Sequence, residues 1–227
     1  MYKNLVIETS SLCNRTCSTC MRNSYPDREF VKSWFQPNFI SLEMIKNILA
    51  ESKLFEYNWR VTLAYYNEPL LDTKIIDIIK LVKSYGFWVK IITNGDFLSG
   101  YIAQQLDGLL DNITISLYGD KKSQKNHFRK LFSKTKTLIK TRGHRRTHYS
   151  PNPSLPSGRC TINNKLIINH KCEYMLCCDD FGVFGLGRFP DVSLKDYWYG
   201  EKRVNIVNDI LHGNRDKYGL CKTCTKR

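Results

Sequence analysis

Four short extended segments, each followed by a helical pattern, leave this chain few architectures to adopt. Residues 5–8, 60–66, 88–93 and 112–117 are rich in β-branched and apolar side chains. Ser41 stands before Leu42 and Glu43 as a helix cap, and Ile45, Ile48, Leu49 and Phe55 follow at helical spacing. Asp72 is placed to cap a second helix holding Ile75, Ile76, Ile79 and Val82, with Gly86 to stop it. A shorter helix is expected from about 98 to 110. Strands alternating with helices at this pitch make βαβ units and a parallel sheet. In such sheets ligands bind where strands end at their C-termini. Those four ends carry the segment with Cys13, Cys17 and Cys20, then Asn67-Glu68-Pro69, Thr93-Asn94-Gly95 and Ser116-Leu117-Tyr118-Gly119. One functional rim is the expectation.

Composition matters chiefly for the cysteines. With 227 residues, 42% apolar and 12% aromatic, the chain can bury a core and is not a disordered one. No apolar run approaches the roughly 18 residues of a membrane helix, and Glu8 interrupts the N-terminus before a signal-peptide core could form. The expected compartment is cytoplasmic and reducing. There, nine cysteines point to metal or redox chemistry rather than disulfides. They form two groups: Cys13, Cys17 and Cys20 in a C-x3-C-x2-C spacing, and Cys160, Cys172, Cys177, Cys178, Cys221 and Cys224 in the last third. Two metal centres are the economical reading. Three thiolates are one short of a closed zinc site, but they suit a four-iron cluster that leaves one iron open. A zinc site with a distant fourth ligand and ordinary buried thiols are the alternatives.

Cys13-Asn14-Arg15-Thr16-Cys17-Ser18-Thr19-Cys20 resembles the signature of radical S-adenosylmethionine (SAM) enzymes, although Thr19 replaces the usual aromatic residue. The resemblance implies that the open iron chelates SAM and that an electron from the cluster splits SAM into methionine and a 5′-deoxyadenosyl radical. It also implies an electron donor such as flavodoxin or ferredoxin. Asn67-Glu68-Pro69 is similar to the family's Gly-Gly-Glu-Pro motif, whose backbone and Glu hold the SAM amino group. Asn at 67 is compatible with left-handed backbone angles. Asn94 belongs to a strand-three motif of one subgroup, and Ser116 sits where a ribose contact is often found. Singly, Glu68 has a lesser alternative reading as a surface carboxylate, and Asn94-Gly95 reads equally as a plain turn and Ser116 as a core hydroxyl; in this order behind the cysteines they are jointly specific.

The last third resembles the SPASM/twitch extension of these enzymes. Residues 165–169 and 173–177 read as a β-hairpin, Ser193 opens a helix through Tyr197 and Trp198, and the chain closes on Cys221-Lys222-Thr223-Cys224. The resemblance implies an auxiliary four-iron cluster on Cys160, Cys221, Cys224 and either Cys177 or Cys178. Cys177 is preferred, leaving Cys172 as a spare thiol at a family Gly position. A four-cysteine zinc ribbon is the competing reading. The fold class expected is therefore α/β: a truncated partial TIM-type (β/α) barrel over residues 1–150 and a small twitch-like hairpin and helix domain over 151–227. Residues 120–157 leave room for little more than one helix and a loop, so the barrel is truncated or has a degenerate fifth strand near 145–149.

Residues 121–146 contain eleven Lys or Arg and no acid, and carry most of the formal charge of +14. Phe128, Leu131, Phe132, Thr135, Leu138 and Ile139 suggest one cationic surface helix, either simply solvated or touching a polyanion. The functional expectation is a radical SAM enzyme abstracting hydrogen from a peptide or small molecule. Action on nucleic acid, or a non-catalytic zinc or iron–sulfur protein, are the rivals.

Overall fold

The structure is a computed structural model that describes residues 2–18, 20–55, 60–118, 124–142, 164–222 and 224. Its centre is a seven-stranded sheet of β1 (Asn4–Ile7), β2 (Arg60–Leu63), β3 (Trp88–Thr93), β4 (Asn112–Tyr118), β5 (Lys136–Arg142), β6 (Lys165–Ile168) and β7 (Tyr174–Met175). The spatial order is β5-β4-β3-β2-β1-β6-β7, unclosed, and every pairing is parallel except the hairpin β6–β7.

Alternation along the strands decides which residues face which layer. Leu5, Val61, Val89, Ile91, Ile113 and Ile115 are fully buried in the main core, together with Ile45, Ile48 and Leu49 of helix Leu42–Lys53 and Ile78, Ile79 and Val82 of helix Ile75–Ser84. Each such side chain stabilises the fold by about 1.5–3 kcal/mol. Ser41 caps the first of these helices, its side chain accepting from Met44 N. Asp72 does not cap the second, which begins at Ile75 after Lys74; its Oδ1 instead accepts from Lys74 N in the preceding turn. Gly86 ends that helix at φ +78°. The third helix is Gly100–Leu106, capped by Ser99.

The basic segment is not one helix. It divides into helix Gln124–Lys130 and strand β5, so a regular fifth strand precedes the position expected for a degenerate one. Residues 145–149 lie outside the described residues. Asp107 makes the division. Its carboxylate accepts from the backbone N–H groups of Ser133, Lys134 and Thr135 and from Ser133 Oγ, which pins the chain just before β5. Beyond that point Thr137, Ile139 and Thr141 recur with period two, and β5 pairs along its whole length from Asn112↔Lys136 to Tyr118↔Arg142.

The C-terminal hairpin forms, but β6 also joins β1 in parallel, from Asn4↔Lys165 to Ile7↔Ile168. The sheet therefore continues from the first strand directly into the last third. Helices Leu194–Tyr199 and Glu201–Leu211 follow, and Trp198 stacks edge-on against Tyr2 at 5.1 Å. Cys172 lies in the hairpin turn at φ +61°, the lone non-glycine with positive φ among the described residues. A left-handed backbone there accounts for the Gly expected at this position.

Candidate functional site

The rim loops are held to one another by long-range hydrogen bonds. Glu68 N donates to Leu12 O, and the Glu68 carboxylate accepts from Thr93 Oγ1 and Asn94 N at 2.7 Å each and from Leu70 N at 3.2 Å. Burial raises its pKa above the ordinary carboxylate value. Three of about four acceptor positions are thus filled, which leaves one on Oε2. Asn94 Nδ2 donates to Asn14 Oδ1, and Asp96 takes Asn14 Nδ2 and the Arg15 guanidinium. These contacts fasten the cysteine loop to the end of β3. Gly95, at φ +81°, lets the Phe128 ring pack against the turn after β3, because a Cβ there would lie 3.0 Å from that ring. Asn67 does not adopt the left-handed backbone; its Oδ1 instead accepts from Tyr65 N.

Of these groups, Arg15, Tyr65, Asn67, Glu68, Thr93 and Asn94 open onto one cavity of about 430 Å³. Cys13, Cys17 and Cys20 form one wall, and Asn67, Glu68, Asn94 and Ser116 line the adjoining strand ends. Burial pushes the Cys20 thiol up to about 11, against the opposing pull of Arg22. Among the described residues, no three Cys, His, Asp or Glu side chains stand close enough to share a single ion. A cubane asks for wider spacing, since each thiolate takes its own iron. The half-exposed thiols on a roomy wall fit that demand, and metal binding displaces the proton that burial favours.

A second, smaller cavity has Cys177, Cys221 and Cys224 on its walls, among Leu176, Ile210 and Leu220. Cys160 lies outside the described residues. Cys178 is not in this group: it faces the large cavity with Cys13, Cys17 and Cys20. Burial, then the neighbouring Cys178, holds the Cys177 thiol well above its usual pKa. Cys172 is buried elsewhere, in the main core.

Two tyrosines that sequence reasoning missed join the cavities. Tyr65 Oη donates to Cys177 O at 2.7 Å and contacts Asp180 O, while Tyr66 Oη donates to Cys178 O at 3.0 Å. Tyr66 N in turn donates to Glu8 Oε1, and Glu8 Oε2 lies 2.7 Å from His170 Nδ1, both residues fully enclosed. Their adjacency after β2 was visible in sequence; their hydrogen-bond targets, more than a hundred residues away, left no local signal.

A parallel α/β half-barrel that gathers three thiols and a buried carboxylate at its strand ends is the framework of a cofactor-dependent barrel enzyme. The chain belongs to the Radical SAM superfamily, which matches residues 7–156. It is 23% identical over 239 residues to the S-adenosyl-L-methionine-dependent 2-deoxy-scyllo-inosamine dehydrogenase of Niallia circulans, covering 99% of this chain and 93% of that one. Among solved structures, BtrN in complex with AdoMet and 2-DOIA superposes with a TM-score of 0.83 at 22% identity, over 100% of this chain and 94% of BtrN. Native anSMEcpe with bound AdoMet and Kp18Cys peptide gives 0.67 at 13% identity, over 99% and 88%. No helix among the described residues is long and apolar enough to cross a membrane.

Proposed function

We propose that this radical SAM enzyme oxidises a small molecule, using a [4Fe–4S] cluster on Cys13, Cys17 and Cys20 and an auxiliary [4Fe–4S] cluster on Cys160, Cys177, Cys221 and Cys224. One observation carries the reading: the three thiols of the first loop share a single cavity with Glu68, Asn94 and Ser116. When bound, the first cluster and SAM supply reductive cleavage of SAM to a 5′-deoxyadenosyl radical that removes a substrate hydrogen atom. The chain's own residues bind and orient. Glu68 offers its remaining carboxylate position to the SAM ammonium, a charge-assisted contact, and Asn67 and Asn94 fix the Glu68 loop and the cysteine loop beside it. Ser116 presents a hydroxyl to the ribose. Residues 1–150 serve as the SAM-binding unit and 151–227 as the twitch-type unit, with reduction by a flavodoxin- or ferredoxin-like donor.

A small-molecule substrate is favoured over a peptide by the dehydrogenase relative, which aligns over nearly its full length. Anaerobic reconstitution tests the reading. About eight iron per chain are expected, and dithionite with SAM should release 5′-deoxyadenosine. Replacing Cys13, Cys17 and Cys20 together with Ala should remove about half the iron and all of the release. Stoichiometric zinc without visible iron–sulfur absorption would overturn it.

A further inference from the structure

The cavity is lined by a set of basic side chains that the proposed SAM contacts do not use. Cavity-facing residues fall into rows across the sheet, because alternate residues of each strand point the same way. Lys165 lies beside Asn4, and the Leu5↔Val61 register sets Arg60 on the other side of Asn4. In the next row Thr62 neighbours Lys90. Lys140 of β5 is exposed and pairs in register with Ser116.

Arg60, Lys90 and Lys165 line the same cavity as the three thiols, and Glu68 is the one acid lining it among the described residues. The Glu68 carboxylate already serves Thr93, Asn94 and Leu70. No acidic side chain among the described residues makes an ion pair with Lys90, Lys140 or Lys165. The Lys90 ammonium is held below its ordinary pKa by burial and then by repulsion from Lys140, Arg60 and Lys165. Half-buried like charges of this kind weaken a fold, and an oxyanion among them would remove the cost. From Lys90 to Asn94 the chain advances four residues, about 13 Å. Part of that gap is closed by the long basic side chains, which leaves the length of a sugar-sized molecule.

We propose that the substrate is a small molecule bearing a phosphate or carboxylate group, seated on Arg60, Lys90 and Lys165 with Lys140 at its edge and its reacting carbon toward the cysteine loop. The proposal rests on the small-molecule reading above and adds the chemical class. It assigns the basic residues of β2, β3 and β6 to substrate recognition.

Calorimetric titration of the reconstituted full-length chain with glucose, glucose 6-phosphate, gluconate and inorganic phosphate tests it. At least one anionic probe should bind about tenfold or more tightly than glucose, and phosphate ester against carboxylate identifies the anion. Lys90→Gln and Lys165→Gln should each weaken that binding about tenfold, while Lys90→Arg retains it. Iron content reports whether each variant has folded. The wild-type chain gives a second readout: the bound anion should slow acetylation of Lys90 and Lys165, followed by mass spectrometry. Equal affinity for glucose and its phosphate, unchanged affinity in both Gln variants, or no protection of either lysine would overturn the proposal. Deoxyadenosine release from the wild-type chain without anion preference rejects this inference and keeps the enzyme reading. Anion binding without iron or deoxyadenosine release rejects the enzyme reading alone.

Discussion

The two cysteine-lined cavities are built from different materials. The cavity beside Cys13, Cys17 and Cys20 is wide and mixed, with Glu68, Asn94, Ser116 and several cations on its walls beside Val6, Ala64 and Ile92. The one beside Cys177, Cys221 and Cys224 is narrow and walled by Leu176, Val207, Ile210 and Leu220. A wide wall that carries polar and charged groups suits an exchangeable ligand, whereas an almost wholly apolar wall excludes water. Cys177 and Cys178 mark the border. In this stretch of chain one thiol faces each cavity, and the tyrosines after β2 hold both carbonyls in place.

The largest expected effect breaks the comparison at that border. Cys177→Ala should cost about four iron per chain, whereas Cys178→Ala should leave iron at the wild-type level; equal losses in the two variants would mean the cavities do not divide the ligands in this way. A smaller effect belongs to the open side alone. Glu68→Ala should weaken SAM binding roughly tenfold to a hundredfold, as expected for loss of a charge-assisted contact, and leave iron content unchanged. Equilibrium dialysis with labelled SAM measures it, and wild-type affinity would remove Glu68 from the SAM site.

The smallest effect concerns the turn that leads into β5. Burial would raise the Asp107 pKa, but hydrogen bonds from Ser133, Thr135 and Lys134 outweigh it and hold the carboxylate well below its ordinary value. A depressed carboxylate stabilises the fold fully above its unfolded pKa, and that contribution is lost as pH falls through the folded value. Asp107→Ala should therefore lower stability by about 1–3 kcal/mol at neutral pH, with the gap to wild type closing in acid. Denaturant unfolding at several pH values checks this. A gap independent of pH would mean that the charge does not hold the loop.

How much of this was legible depended on the range of the interactions involved. Helix Leu42–Lys53 and strands β1 to β4 declared themselves, because their apolar periods and the Ser41 cap are local. The segment after residue 130 did not. Phe128, Leu131, Phe132 and Thr135 fit a helical period, while Thr137, Ile139 and Thr141 fit a strand. The choice falls to Asp107, more than twenty residues upstream. The site follows the same rule. Cysteine spacing and the Glu68 and Asn94 loops were readable, but the Asp96 tie to Arg15 and the Tyr65 and Tyr66 ties to residues 177–180 join distant segments and leave no pattern. The cationic wall was hidden for a related reason. Its members belong to four strands, and only the register brings them together.

The parallel pairing of β1 with β6 also sets a timetable for the growing polypeptide. β1 leaves the ribosome about 160 residues before β6, yet one of its two edges waits for β6 as partner. Until then the nascent sheet exposes unsatisfied backbone groups along β1, and Tyr2 lacks the Trp198 ring that later covers it. Closure of so long a loop is slow compared with the local βαβ steps, so maturation of the N-terminal half ends with the arrival of the last third.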